Sequence, residues 1–352
     1  MKKQAYILFA AGTFLFAGCD STETPDITET DFSPVLNNIG TNVIVATYSD
    51  LAVKADALHT AIMTLSADPS ALNLEAARTA WIATRSPWEQ SEGFLFGPVD
   101  QEGLDPALDS WPVNVTDLEN VLGSADAITE SFLALQEGTL KGFHTIEFLL
   151  WGESGNKTID EFTAREFEYL VAASGTLHND AEQLFALWNP ADGNYINNLI
   201  AAGNGSAIYV SQKSALEELT NALIIIADEV ANGKINDPFV QEDVTLEESR
   251  FSNNSKLDFA DNMRSILNIY SGTFNGAGTG EGLDDIISEQ DPELHAHILE
   301  DIEAAITAIE SIPGTFTTAI FGHPTEVAAA QDAVRHLQEI LEQDMLPIVS
   351  NL

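Results

Sequence analysis

Leu216-Glu217-Glu218-Leu219-Thr220-Asn221-Ala222-Leu223-Ile224-Ile225-Ile226-Ala227-Asp228-Glu229-Val230 decides the fold class. Leu216, Leu219, Leu223, Ile226 and Val230 recur at alternating steps of three and four residues. That is the period of a helix with one apolar face. The pattern returns on both sides. Leu51, Val53, Leu58, Ile62 and Leu65 carry it upstream, Ile298, Ile302, Ile306 and Ile309 carry it downstream, and Val327 to Leu346 repeats it. Alternation of the strand type, bounded by hairpin turns, is scarce. The reading is an all-α protein.

Breakers divide the helices at Asp68-Pro69-Ser70, Asn189-Pro190-Ala191-Asp192-Gly193, Gly203-Asn204-Gly205 and Ile312-Pro313-Gly314. The zone from Asn189 to Gly205 lies near the middle. It predicts two tandem helical bundles, 36–190 and 191–352, each of ordinary domain size, with a cleft between them. An aromatic–Arg–aromatic helix in each half (Trp81, Arg85, Trp88; Phe259, Arg264, Tyr270) is compatible with an internal duplication. Asn275 to Gly282 holds four glycines but follows a helix and lacks the lysine of a phosphate loop, so it reads as a connector.

The N-terminus has the order of an export signal. Lys2 and Lys3 precede a short apolar run from Tyr6 to Leu15, then Phe16-Ala17-Gly18-Cys19. Similarity to bacterial lipoprotein signals, which more often carry Leu where Phe16 stands, implies cleavage of 1–18 and acylation of Cys19. An ordinary signal peptide cut near Ala17 is the alternative. Residues 19–35 are polar, acidic and rich in Thr and Pro, and read as a disordered tether. Cys19 is the sole cysteine, so a disulfide, a cysteine metal cluster and a cysteine nucleophile in the mature domain are excluded. No later stretch is apolar for long enough to span a bilayer. The membrane is therefore a partner through lipid alone, and the expected location is the cell envelope.

The 352 residues carry 14 Lys+Arg against 55 Asp+Glu, a net charge of −41. Nucleic acid and anionic lipid are poor partners for that surface. Spread along the whole chain, such a balance fits solubility in high salt better than one local cation site.

The candidate chemistry lies in Gly142-Phe143-His144-Thr145-Ile146-Glu147-Phe148-Leu149-Leu150-Trp151-Gly152. His144 and Glu147 are one turn apart on one helix face. They could share a divalent metal, form an acid–base pair, or be a satisfied core pair. His297/Glu300, His323/Glu326 and His336/Glu339 repeat the spacing, as chance allows in an acidic chain. Only the first pair sits in an otherwise apolar run, where a carboxylate is costly unless paired or metal-bound. Glu92 is a candidate third ligand. Ser86-Pro87-Trp88-Glu89 reads as a capping box, with Glu89 then structural. Arg85 is expected to pair with Glu89 or Glu147. Ser252-Asn253-Asn254 has the form of a turn or helix cap. Trp81, Trp88 and Trp151 are core residues or stackers lining a cleft.

Gly-x-His-x-x-Glu followed by Phe-Leu-Leu-Trp-Gly resembles the signature of the imelysin family, also classed among metallopeptidases. Trp81, Arg85, Trp88, Glu89, Glu92 and Phe94-Leu95-Phe96-Gly97-Pro98 resemble its Trp/Arg/Glu-Phe-Gly-Pro segment, and Asp109-Ser110-Trp111-Pro112 its Trp-Pro turn. Phe251-Ser252-Asn253-Asn254 resembles its Phe-Ser-Asp-Asn motif, with Asn253 in place of the expected Asp, and Ile269-Tyr270-Ser271-Gly272 its Tyr-x-Gly. The resemblance covers nearly all of the mature chain. It implies two helical bundles whose motifs meet in a cleft, an envelope location and a link to iron uptake. The expected site is a divalent metal, iron or zinc, on His144, Glu147 and Glu92, with Arg85, Glu89, Ser252, Asn253 and Asn254 around the cleft. His144 and Glu147 would be the catalytic pair if the chain is an enzyme. A catalytic zinc site wants three protein ligands and a general base, and Thr145, not Glu, follows His144. The competing functions are a metal binder, a metal-dependent peptidase and a peptide or polysaccharide binder.

Overall fold

A computed structural model describes residues 30–275 and 280–352. The signal, Cys19 and most of the tether therefore lie outside the described residues, as do the central residues of the Asn275–Gly282 connector. Among the described residues there is no β-strand.

The long helices are α1 (Ala46–Ala67), α2 (Ala71–Glu89), α4 (Gly142–Trp151), α5 (Ala164–Trp188), α6 (Gln212–Glu229), α7 (Ser255–Ser271), α8 (Pro292–Glu310) and α9 (Pro324–Ile340), with a short α3 at Leu104–Asp109. The starts of α2, α5, α6 and α8 carry side-chain caps of the expected type. Ser70 accepts from Asn73 N at the head of α2, Thr163 and Glu166 form a capping box at α5, and Asp291 caps α8. Each helix buries the face its periodicity announces. Leu51, Leu58, Ile62 and Leu65 of α1 are buried, as are Leu216, Leu219, Leu223 and Ile226 of α6. Val53 departs from the pattern. It lies two residues from Leu51, off the apolar stripe, and is exposed.

Helix α1 packs on both α2 and α5, α4 lies against α2 and α5, and α3 lies against α4 and α5. Helices α6 to α9 form the second group, α8 lying on both α7 and α9. Contact between α2 and α7 joins the two groups. The all-α, two-bundle architecture is thus present, and the buried apolar side chains of both groups form one continuous cluster. The buried polar groups collect where α2 meets α7.

The capping-box reading of Ser86 is corrected. Helix α2 runs unbroken from its cap at Ser70 through Pro87 to Glu89. Proline removes one backbone donor near the helix end, but the next amides still close the turn, with Gln90 N donating to Ser86 O at 3.0 Å. Glu89 thus has no capping duty and stands one helical turn beyond Arg85, on the same face.

Candidate metal centre

Four parts of the chain deliver charge to one buried place. The last turn of α2 brings Arg85 and Glu89, and the 3₁₀ turn Glu92–Phe94 follows with Glu92. Helix α3 ends in Asp109, and α4 contributes His144 and Glu147. The C-terminal half supplies Lys234 from a π-helical turn (Val230–Ile235), Glu248 and Ser252 from the following loop, and Asp258 and Asn262 from α7. All but Ser252 are buried. The glycine of the motif has a mechanical role here. A Cβ on Gly142 would stand 2.3 Å from the Leu108 carbonyl oxygen, and its φ is +74°. Glycine alone lets the head of α4 come this close to α3, which sets His144 beside Asp109.

The Arg85 guanidinium is surrounded by carboxylates. It contacts Glu89 and Asp109 directly, Glu248 at 3.0 Å and Asp258 at 3.5 Å. The Lys234 ammonium lies 2.7 Å from Glu92, 3.1 Å from Glu248 and 3.4 Å from Glu89. Asn262 Nδ2 donates to Glu89 Oε2 at 2.6 Å and to Glu92 Oε2 at 3.0 Å, and Trp88 Nε1 donates to Asp109 Oδ2 at 2.6 Å. His144 is held on both sides. Nδ1 is 3.0 Å from Glu147 Oε2, and Nε2 is 3.0 Å from Asp109 Oδ1 without the alignment of a hydrogen bond. Glu147 Oε1 accepts from the Ser252 amide and hydroxyl, each at 2.7 Å. Both Glu147 oxygens are thereby in use.

Burial would discharge His144, but the charge and contact of Asp109, with the Glu147 hydrogen bond, outweigh it and hold the imidazolium up at about 10. Burial would likewise raise Asp109, yet Arg85 and His144 keep it well below the ordinary carboxylate range. Burial wins at Glu248, lifted to about 8, and at Asp258, lifted to about 7, and it raises Glu92 well above its ordinary value. For Lys234 the nearby Glu248, Glu89 and Glu92 overcome burial and keep the ammonium charged. The imbalance is simple. Six buried carboxylates (Glu89, Glu92, Asp109, Glu147, Glu248, Asp258) face two permanent cations (Arg85, Lys234) and one histidine. The excess must be met by bound protons or by a further cation.

The residues predicted from sequence are placed as follows. Arg85 and Glu89 lie at the centre of the network, and Arg85 pairs with Glu89 but not with Glu147. Ser252 holds Glu147. Asn254 directs its side chain to Asp258 Oδ1 at 2.7 Å, while Asn253 is exposed at a turn with φ +60°. Trp81 and Trp88 are fully buried core residues. The expected trio His144, Glu147 and Glu92 is not brought together as ligands. Among the described residues, the three-donor set containing His144, with its donor atoms all within 4.8 Å, is Asp109, His144 and Glu248. Glu92 belongs to a second set, with Glu89, Asp109 and Glu248. Sequence reading missed Asp109 as a ligand, and Lys234, Glu248, Asp258 and Asn262 altogether. Lysine scarcity was the available signal for Lys234: with only 14 Lys+Arg in the chain, each cation is worth placing.

The two sets differ in fitness for a metal. In the second, the Lys234 ammonium already contacts three of the four carboxylates. The first offers one imidazole nitrogen and two carboxylates, a donor mixture suited to iron, manganese or zinc. His144 Nε2 and Glu248 Oε2 are buried atoms without a hydrogen-bond partner among the described residues. Glu147 stands behind the imidazole as the carboxylate that fixes its orientation. His144 and Glu248 also line a cleft of about 220 Å³, walled by Trp111, Arg250 and Phe251. These residues fit a divalent cation.

Residues 44–343 match the family model described as Imelysin. The chain belongs to the imelysin family. This imelysin is 30% identical over 354 residues to "Iron-regulated protein A" of Synechococcus elongatus, an alignment covering 99% of the chain and 94% of the relative. A crystal structure from Parabacteroides distasonis, of a protein assigned as an iron-regulated protein A precursor, superposes with a TM-score of 0.81 at 27% identity, covering 95% of this chain and 97% of that one. An imelysin-like protein from Psychrobacter arcticum shares the fold, with a TM-score of 0.74 at 15% identity over 89% of this chain and 94% of that one.

Proposed function

We propose that this imelysin is an envelope-anchored binder of one divalent cation, iron foremost, held by His144 Nε2, Asp109 and Glu248. One observation carries the reading: Glu147 pins Nδ1 of His144, leaving the buried Nε2 beside two carboxylates at the end of a cleft. The names of the Synechococcus and Parabacteroides relatives support an iron-related role. Binding is favoured over peptide hydrolysis because the cleft, about 220 Å³, is smaller than the several hundred cubic ångströms typical of organic-ligand sites. A cation entering at Nε2 displaces the proton that Asp109 holds on His144, so uptake near neutral pH releases protons.

The test is anaerobic calorimetric titration of Fe²⁺ into chelator-treated protein, beside variants. Wild type takes one ion per chain. His144→Ala and Asp109→Asn lose it, Glu147→Gln weakens it by about 10–100-fold as an orienting residue should, and Glu92→Gln retains it. Equal binding by wild type and His144→Ala would make the His144–Glu147 pair purely structural. Anchoring through Cys19 belongs to the same proposal, supported by the basic start, the apolar run and the cysteine that follows it. Metabolic labelling with a palmitate analogue should mark wild type and not Cys19→Ser. An unlabelled wild-type chain removes the anchor from the reading.

A further inference from the structure

Two overlapping donor sets share Asp109 and Glu248. The first adds an imidazole to them, while the second is filled by the chain itself. Lys234 Nζ sits among Glu92, Glu248 and Glu89 at 2.7, 3.1 and 3.4 Å, distances at which a positive centre is held by several oxygens. The ammonium is buried and lies 5.5 Å from the Trp111 ring centre, which walls the neighbouring cleft. Its backbone belongs to the π-helical turn Val230–Ile235 rather than to the regular helix before it. Such a turn adds a residue and re-aims a side chain, and it recurs at functional sites. Donor atoms remain at this place besides those Lys234 uses. Glu248 Oε2 and the Asn262 side-chain amide oxygen Oδ1 are buried without a hydrogen-bond partner among the described residues.

We infer that Lys234 fills, with its own ammonium, a second cation position bounded by Glu89, Glu92, Asp109 and Glu248, so that the natural centre takes one divalent ion and loss of the lysine side chain admits another. The inference rests on the cation reading above for the first position only. A lysine charge differs from a divalent ion in being permanent, monovalent and unable to leave. It neutralises part of the excess carboxylate charge at all times, and it keeps the adjoining His144 position mononuclear. The four carboxylates by themselves would otherwise make the more oxygen-rich of the two sets, which suits Mn²⁺.

Mn²⁺ is the probe, because stoichiometry and electron paramagnetic resonance read the same sample. Wild type should bind one Mn²⁺ with the six-line spectrum of an isolated ion. Lys234→Ala should bind two, with the broadened spectrum of a coupled pair. Its melting temperature, lowered without cation, should recover on adding either Mn²⁺ or methylammonium, which replaces the lost ammonium. One ion and an unchanged six-line spectrum in Lys234→Ala would overturn the inference. If Lys234→Ala does not fold without metal, Lys234→Ala/Glu92→Gln removes one negative charge with the positive one and keeps an oxygen at residue 92. Two ions there support the second position, and one ion overturns it. The two readings fail separately. No ion in wild type but one in Lys234→Ala sinks the His144 site and leaves the lysine position standing; none in either sinks both.

Discussion

At the residue scale, Gly142 decides whether the centre exists. A methyl at this position meets the Leu108 carbonyl at 2.3 Å and the Ala107 carbonyl at 2.8 Å, on a backbone with φ +74°. Those neighbours are main chain and cannot rotate away. Gly142→Ala should therefore cost at least about 2 kcal/mol, positive-φ strain alone being about 1–3 kcal/mol, and should also weaken cation binding by moving His144 from Asp109. Gly103 is the control. It too has positive φ, +66°, but nothing lies within 4 Å of where its Cβ would stand. Gly103→Ala should show the strain cost and leave cation affinity unchanged. Thermal melts and Mn²⁺ titrations of both variants check this, and equal affinities would deny Gly142 its positioning role. The same scale shows why half of the site was legible. His144 and Glu147 are three residues apart, so helical spacing alone pairs them, and Arg85 and Glu89 are four apart. Asp109, Glu248 and Asp258 reach the cluster from distant sequence, and no local period announces them. By charge alone Glu147 suits Arg85 as well as Glu89 does, but Ser252 occupies the oxygen that His144 leaves.

At the scale of elements, apolar periodicity located the helices because each needs one buried stripe, and that need is written in consecutive residues. What periodicity could not show is how a helix ends or deforms. Ser86-Pro87-Trp88-Glu89 has every residue of a helix start, yet it lies in the last turn of a helix capped at Ser70. Arg85 and Glu89 are buried against the second bundle and Trp88 against Asp109 and Phe143, and those contacts outweigh one missing backbone donor. The π-helical turn at Val230–Ile235 is equally silent in sequence, because it keeps helical spacing on either side and differs only by one inserted residue. That residue separates a surface lysine, the usual reading of Asn232-Gly233-Lys234, from a buried one. Val53 misleads in the opposite way. Its apolar side chain invites a place in the stripe, although two residues from Leu51 is nearly the other side of a helix.

For the whole molecule, the excess of buried carboxylate sets a pH dependence. His144 is raised from 6.5 to about 10, Glu248 from 4.5 to about 8 and Asp258 from 3.8 to about 7. Each folded-state value lies above its unfolded one, so the folded chain binds more protons than the unfolded chain over this range. Stability from these groups is complete below their unfolded values and is lost as pH rises through the folded ones. Asp109, held low, acts oppositely and only at the acid end. The surface carries most of the −41 charge on carboxylates that titrate near pH 4, so its self-repulsion is fully developed by about pH 6. A fall in melting temperature between pH 6 and 10 must then come mainly from buried groups, this cluster foremost, with Asp105 and Asp180, each raised by burial to about 6, adding only at the acid edge. Chelator-treated protein should show that fall, at about 2 °C for each kcal/mol lost. Saturating Mn²⁺ should flatten it, because the ion replaces the protons of His144 and Glu248 and binds only the folded chain. Glu248→Gln should remove its own share of the fall, which lies below about pH 8, and leave the shares of Asp258 and His144. A melting temperature level from pH 6 to 10 without cation would mean that the cluster does not retain these protons. The six carboxylates would then be balanced by an ion that chelation fails to strip, and the titrations above would have to begin from protein unfolded and refolded without metal.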